Sequence, residues 1–235
     1  MIHYIDGTVF NTPAKTIVNT VNCKGAMGAG LALEFKLRYP LMYEDYLQKC
    51  NEDKLKIGRQ NLFQVNDNLW ILNFTTKKHW KDPSKLHYIE DGLAYFRQNH
   101  NKVDLKTVAF PKLGTSNGGL DWKDVQILME KYLGDLNIDI YICLDRLDKP
   151  EGIENTMVTL FNSISIEELK KHINLSTKQM GILEISQPIK RFYHLNNISG
   201  IGEATYEKLF NYFYKYSVDE KTVENNIPVQ LNLFF

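Results

Sequence analysis

Charge of one sign is what this chain lacks. Its 235 residues carry 28 Lys and Arg against 28 Asp and Glu, a formal charge of +0. No global field draws nucleic acid or a membrane surface, so any contact with DNA has to be local. Cysteine is scarce as well. Cys23, Cys50 and Cys143 are odd in number and widely spaced, which argues against a disulfide framework and against paired zinc-ligand spacing. No apolar run reaches the length that spans a bilayer, and the opening MIHYIDGTVF lacks the charged-then-apolar layout of a secretory signal. The expected setting is a reducing cytoplasm, with no membrane partner. Internal repeats and low-complexity tracts are missing too. A mixture of 43% apolar and 24% charged residues is ordinary for a globular chain, and the length suits one good-sized domain plus an appendage.

What the chain does have is glycine, concentrated in two places. VNTVNCKGAMGAGLALEFK (residues 18–36) and FPKLGTSNGGLDW (residues 110–122) each follow a strand-like run and lead into a helical one. Glycine suits backbone that must turn sharply or come close to something, and amides at a helix N-terminus attract anions. Two such loops on one sheet have the donors for both phosphates of a diphosphate. Neither matches G-x-G-x-x-G, and neither carries the Gly-Lys-Ser/Thr of a P-loop. A nucleotide-diphosphate site of another design is expected; a tight, ligand-free turn is the alternative for either stretch taken alone.

The remaining runs alternate in type. TIVNTVN reads as a buried strand, and LALEFKLRYPLMYEDYLQKC as helix with a break at Pro40. NLFQV and LWILNF bracket Asn66-Asp67-Asn68, a hairpin signal. SKLHYIEDGLAYFRQN is amphipathic with Ser84 as its expected N-cap. KTVAFPKLG is a strand entering the second glycine loop, DWKDVQILMEKYLGDL a helix capped by Asp121, and IDIYICL a closing strand. Strands alternating with helices predict a layered α/β sheet with its ligand site at strand ends. From about residue 161 the style changes to short helical pieces, and after Ser217 the chain turns polar. The expected organisation is 1–160, 161–217 and 218–235.

The two glycine stretches, with NFTTKKHW (residues 73–80) and IEDGL (residues 89–93), resemble the macrodomain, the ADP-ribose-binding family, and within it the DarG-like branch of DNA ADP-ribosyl glycohydrolases. The resemblance spans residues 1–160. It implies an α/β fold of three α/β/α layers around a mixed sheet of about six strands, with a small, mostly helical C-terminal region appended. Carried over by position, Asn22 would hydrogen-bond the distal ribose. Gly25, Ala26, Met27, Gly28, Ala29 and Gly30 would wrap the diphosphate from one side, and Gly114, Thr115, Ser116, Asn117, Gly118 and Gly119 from the other. Lys77 matches the catalytic lysine. No metal and no cofactor is implied. Two positions depart from the family pattern. Thr8, counted with the ligand-binding residues, stands where most members have an adenine-contacting Asp, which makes adenine recognition weaker or supplied elsewhere, with Asp6 two positions away, and Gly118 stands where a vertebrate relative has a catalytic Asp. The implied substrate is ADP-ribosylated DNA, modified on thymine, and the implied partner is a DNA ADP-ribosyltransferase toxin that the enzyme counters. Another hydrolase of the fold, acting on ADP-ribose 1″-phosphate or modified protein, and a non-catalytic ADP-ribose reader are the rival readings.

Lys77 would act as a nucleophile at the anomeric carbon or as a cation stabilising the leaving base. Lys78 is the neighbouring charge, yet adjacent strand residues point to opposite faces. His79 and Trp80 either flank a base by stacking or end a solvated strand with one core aromatic. His3, His87, His100, His172 and His194 show no ligand spacing. Further on, NNISGIGEATYEKLF (residues 196–210) resembles a helix-hairpin-helix element turning at Gly200-Ile201-Gly202, with Ala204 and Leu209 on its packing face. Such elements hold DNA backbone, though basic residues do not outnumber acidic ones there. Gln230-Leu231-Asn232-Leu233-Phe234-Phe235 resembles a bacterial sliding-clamp-binding peptide.

Overall fold

The computed structural model describes residues 1–103 and 105–222. The clamp-like residues 230–235 lie outside the described residues. The chain divides into two compact units, one of residues 1–147 and one from residue 148 onward.

The first unit is built on one six-stranded sheet. Its strands are β1 (Ile2–Ile5), β2 (Thr16–Asn22), β3 (Asn61–Asn66), β4 (Leu69–Lys77), β5 (Thr107–Pro111) and β6 (Asp139–Cys143), in the spatial order β1-β6-β5-β2-β4-β3. All neighbours pair in parallel except β3, which joins β4 as an antiparallel edge hairpin around residues 66–69. Four helices cover it: α1 (Gly30–Arg38), α2 (Pro40–Asn51), α3 (Leu86–Asn99) and α4 (Trp122–Leu133). Pro40 is what separates α1 from α2, because proline fits the first turn of a new helix and cannot sit inside one.

Strand alternation sorts the core into two layers. Ile17, Val21 and Ile71 face α1 and α2, where they meet Phe35, Met42 and Tyr46. Val18, Leu72, Phe74, Val108 and Phe110 face the other way, onto Ile89, Leu93 and Phe96 of α3 and Val125 and Met129 of α4. Helices on both faces of a largely parallel sheet give the three-layer α/β/α arrangement that the sequence implied.

The second unit holds α5 (Gly152–Ser163), α6 (Ile166–Lys170), α7 (Thr177–Ser186) and α8 (Glu203–Thr222). It thus takes in the helix ahead of residue 161. Phe161, Phe192 and Phe213 pack edge-to-face at its centre. The Gly200 turn is preceded by a 3-10 helix, Phe192–Asn197, rather than an α-helix. Leu209 is buried as expected, whereas Ala204 is exposed; Tyr206, Phe210 and Phe213 complete the packed stripe of α8.

Candidate active site

The parallel strands β5, β2 and β4 are neighbours, so their carboxyl ends deliver three loops to one edge of the sheet. The loop after β2 leads to α1 on one face, while those after β4 and β5 lead to α3 and α4 on the other. Crossovers leaving in opposite directions open a crevice at the strand ends, the usual ligand position in such sheets.

Asn22 ends β2 and is buried. Its Oδ1 accepts from the amides of Lys24 at 2.9 Å and Ala26 at 3.4 Å, and its Nδ2 donates to the Ala26 carbonyl at 2.6 Å. The side chain therefore shapes the first glycine loop from inside. Both lone pairs of its oxygen are used, which leaves the second Nδ2 hydrogen as the group Asn22 can offer a ligand. From α2, Tyr46 donates to the Asn22 carbonyl at 2.7 Å and Tyr43 to the Gly25 carbonyl at 3.3 Å. Burial pushes the Tyr46 phenol well above its ordinary range, keeping it a donor. Met27 turns inward, with its sulfur 3.8 Å from Asn19 Nδ2, while Gly28, Ala29 and Gly30 are exposed. Ala29 occupies the N-cap position of α1 and offers no side-chain cap, which leaves first-turn amides to whatever enters the loop. At Gly30 the backbone has φ +56°, and a Cβ there would lie 2.8 Å from Asn117 Nδ2. The positive φ is what favours glycine here, since the Asn117 amide is the mobile end of a side chain and could shift.

The second loop folds on itself. Gly119 N–H donates to the Thr115 carbonyl at 2.8 Å, Leu120 N–H to the Gly114 carbonyl at 3.1 Å, and Thr115 Oγ1 to the Lys112 carbonyl at 3.2 Å. Ser116, Asn117 and Gly119 are exposed, whereas Gly118 is buried against the Gly114 carbonyl and Ser84. The loop ends at Asp121, whose side chain accepts from Lys123 N–H and caps α4, a contribution of about 1 kcal/mol. Ser84 is not the N-cap of α3. Lys85 holds that position; Ser84 is buried, donates its amide to the Gly118 carbonyl at 2.9 Å, and has no hydrogen-bond partner for its hydroxyl. Contact with the second loop has won over capping.

Lys77 ends β4 directly opposite Asn22 in the register, after an irregularity that skips Thr76. Its Nζ donates to the Asn117 carbonyl at 2.5 Å. Lys78 is exposed and lies 5.8 Å from the Tyr88 ring instead. Thr8 begins the short turn after β1, with its carbonyl accepting from Asn11 N–H at 3.1 Å and no capping bond from its side chain. That turn packs against β2 and β5. The structure thus brings together Lys77, Asn117, Gly30 and Gly118, with Asn22 at the adjoining strand end. Tyr43 and Tyr46 support the first loop and are not among the residues the sequence singles out; Ser84, expected as a cap, supports the second. A Tyr-x-x-Tyr pair beside a predicted glycine loop was the available signal for the first two.

Residues 18–129 match the Macro domain family model. Among solved structures, the macrodomain of Mycobacterium tuberculosis DarG superposes with a TM-score of 0.58 at 40% identity, covering 61% of this chain and 97% of that one. This chain belongs to the macrodomain family. A Mycobacterium tuberculosis protein named DNA ADP-ribosyl glycohydrolase is 36% identical over 179 residues, 74% of this chain and 51% of the relative. Thermosipho africanus DarTG in complex with ADP-ribose superposes with a TM-score of 0.58 at 33% identity, covering 62% of this chain and 42% of that one. The chain spans about half the length of the curated relatives it matches. Among the described residues, no helix is long and apolar enough to cross a membrane.

Proposed function

We propose that this protein removes ADP-ribose from thymine bases of DNA. One observation carries the reading: a lysine amine, Lys77 Nζ, is held against the second glycine loop by a hydrogen bond to Asn117, at a strand end level with Asn22 and the first loop. The glycine loops would grip the diphosphate through backbone amides, with the Asn22 amide near the distal ribose. The lysine would then reach the anomeric carbon. Hydrolysis breaks the bond from that carbon to the base nitrogen, adds the oxygen of water to the carbon, and returns a proton to the base. Lys77 would serve by stabilising the departing base or by attacking the carbon, both of which need an amine at the reacting centre. Relatives named DNA ADP-ribosyl glycohydrolase, at 34–36% identity, support the assignment.

Two partners belong to the proposal. A DNA-linked ADP-ribose has to be installed by a DNA ADP-ribosyltransferase, the toxin this activity would oppose in a reducing cytoplasm, where the free Cys23, Cys50 and Cys143 would stay reduced. The sequence Gln230-Leu231-Asn232-Leu233-Phe234-Phe235 is proposed to dock on a bacterial sliding clamp, bringing the enzyme to replicating DNA. The functional test is parallel incubation with thymine-ADP-ribosylated oligonucleotide, ADP-ribosylated protein and ADP-ribose 1″-phosphate. Preferred turnover of the oligonucleotide is expected; preference for either other substrate overturns the reading.

A further inference from the structure

The segment between β4 and α3 is pinned at both ends and exposed in the middle. At its start Cys23 N–H donates to the carbonyls of Lys77 and Lys78 at 3.2 and 3.3 Å; at its end Ser84 N–H donates to the Gly118 carbonyl. One glycine loop thus holds each end. Between them, Asp82 N–H donates to the His79 carbonyl at 3.1 Å, closing a turn with Trp80 and Lys81 at its tip. The Lys81 amide also donates to His79 Nδ1 at 3.2 Å, which fixes the imidazole.

Trp80 is 51% exposed, whereas the other two tryptophans, Trp70 and Trp122, are partly buried. Its ring is stacked on His79, with centroids 5.5 Å apart and planes 26° apart, and Lys81 Nζ lies 4.9 Å from it. Lys78 and Lys85 flank the Tyr88 ring at 5.8 and 5.7 Å. In a chain of zero formal charge, residues 77–85 hold four lysines and one aspartate. Lys78, Lys81 and Lys85 lie against rings, while Lys77 is held by the Asn117 carbonyl. An exposed aromatic ring backed by a second ring, with one lysine beside it and two more on the same segment, is a stacking platform for nucleobases with donors for the adjoining phosphates.

We infer that Trp80, supported by His79 and with Lys81 beside it, stacks a base next to the modified one and, with the charges of Lys78 and Lys85 on the same segment, binds the strand as single-stranded DNA. The inference rests on the proposed function, and the chemistry of that substrate favours a single strand. Thymine has two ring nitrogens, one of which carries the deoxyribose. ADP-ribose on the other blocks the pairing edge, so the modified base is unpaired and its neighbours are easily splayed. Reach agrees as well. Trp80 is three residues from Lys77, so at most about 10 Å separates their Cα atoms, and a base one step from the modified one, at about 3.4 Å of rise, falls within that reach.

The test is fluorescence anisotropy of a labelled, unmodified single-stranded oligonucleotide titrated with the full chain and its variants at two salt concentrations. Trp80→Ala is expected to weaken binding about tenfold or more, and Trp80→Phe to retain most of it. Lys81→Ala should flatten the salt dependence. ADP-ribose affinity by calorimetry should stay within about twofold in Trp80→Ala, showing an intact fold. Equal binding by wild type and Trp80→Ala, no binding by wild type at low salt, equal losses for Phe and Ala, or equally tight binding of the matching duplex would each overturn the inference. Failure of the underlying function shows separately, as no ADP-ribose release from modified DNA by wild type, a readout that the anisotropy titration does not use.

Discussion

Lys77 Nζ donates to the backbone carbonyl of Asn117 at 2.5 Å, joining the end of β4 to the crest of the second glycine loop. The acceptor is backbone, so the bond depends on how the loop folds and not on the Asn117 side chain, which instead lies beside Gly30. One residue therefore links the lysine to both glycine loops.

That linkage sets the first prediction. Lys77→Ala should lower turnover of ADP-ribosylated DNA at least about a hundredfold while leaving ADP-ribose binding within a few-fold, because the amine acts at the reacting centre rather than on the phosphates. Lys78→Ala, with its amine turned to Tyr88, should be far milder. Lys77→Arg separates the two roles: retained turnover assigns an electrostatic role, and loss matching alanine assigns a nucleophilic one. Single-turnover assays with calorimetric binding check all three, and like behaviour of Lys77→Ala and Lys78→Ala contradicts the assignment.

The second concerns Gly118. A Cβ there would fall on the Gly114 carbonyl and the Ser84 hydroxyl. Gly118→Ala should cost about 1–3 kcal/mol of stability and abolish the rise in melting temperature that ADP-ribose produces. Ser84→Ala removes a buried hydroxyl with no partner, so thermal melts should find it neutral or slightly stabilising. A Gly118→Ala protein with normal stability and a normal ligand shift would contradict the packing described.

The third lies in the helical unit. Arg191 donates to both oxygens of Glu154, at 2.9 Å from Nε to Oε1 and 2.9 Å from NH2 to Oε2, and Phe192 N–H adds a third partner. Both side chains are nearly buried. Glu154→Ala takes from Arg191 and Phe192 N–H their buried carboxylate and should cost about 3–5 kcal/mol. Replacing both residues by methionine should cost less, since the buried cation is removed together with its carboxylate. Denaturant titration measures the difference, and equal costs would deny the pair its role.

The fourth is a pH dependence. Burial pushes the Cys143 thiol up to about 12, with Asp145 adding to it, and burial first and Cys50 second push Cys23 up to about 11. The folded protein holds these protons more tightly than the unfolded chain, whose thiols titrate near about 8.5. Their contribution to stability is therefore complete below that pH and is lost as pH rises through about 11 to 12. Alkylation of Cys23 by iodoacetamide should keep accelerating toward pH 11; a plateau near pH 9 would contradict the burial.

Much of the fold was legible because its signals were local. Pro40 marked the break between α1 and α2, residues 66–68 marked the hairpin, and Asp121 marked its helix. The pairing of Lys77 with Asn22 was not, because it depends on β2 and β4 being parallel neighbours, a fact of topology that no local pattern carries. Ser84 had the residue type of a cap but found a closer use beneath Gly118, which only the folded loop supplies. Tyr43 and Tyr46 lie in a run legible only as helix, since aromatic periodicity does not reveal which hydroxyl reaches a backbone carbonyl. Ala204 was placed by spacing on the wrong side of α8, where the larger Tyr206, Phe210 and Phe213 define the buried stripe.

The central claim is that Lys77 and the two glycine loops release ADP-ribose from a DNA base. Mass spectrometry of a thymine-ADP-ribosylated single-stranded oligonucleotide after incubation with the protein tests it most directly. The unmodified oligonucleotide and free ADP-ribose are expected in equal amounts, with Lys77→Ala leaving the substrate intact. Modified oligonucleotide persisting with the wild-type protein, under conditions where that protein binds ADP-ribose, would contradict it.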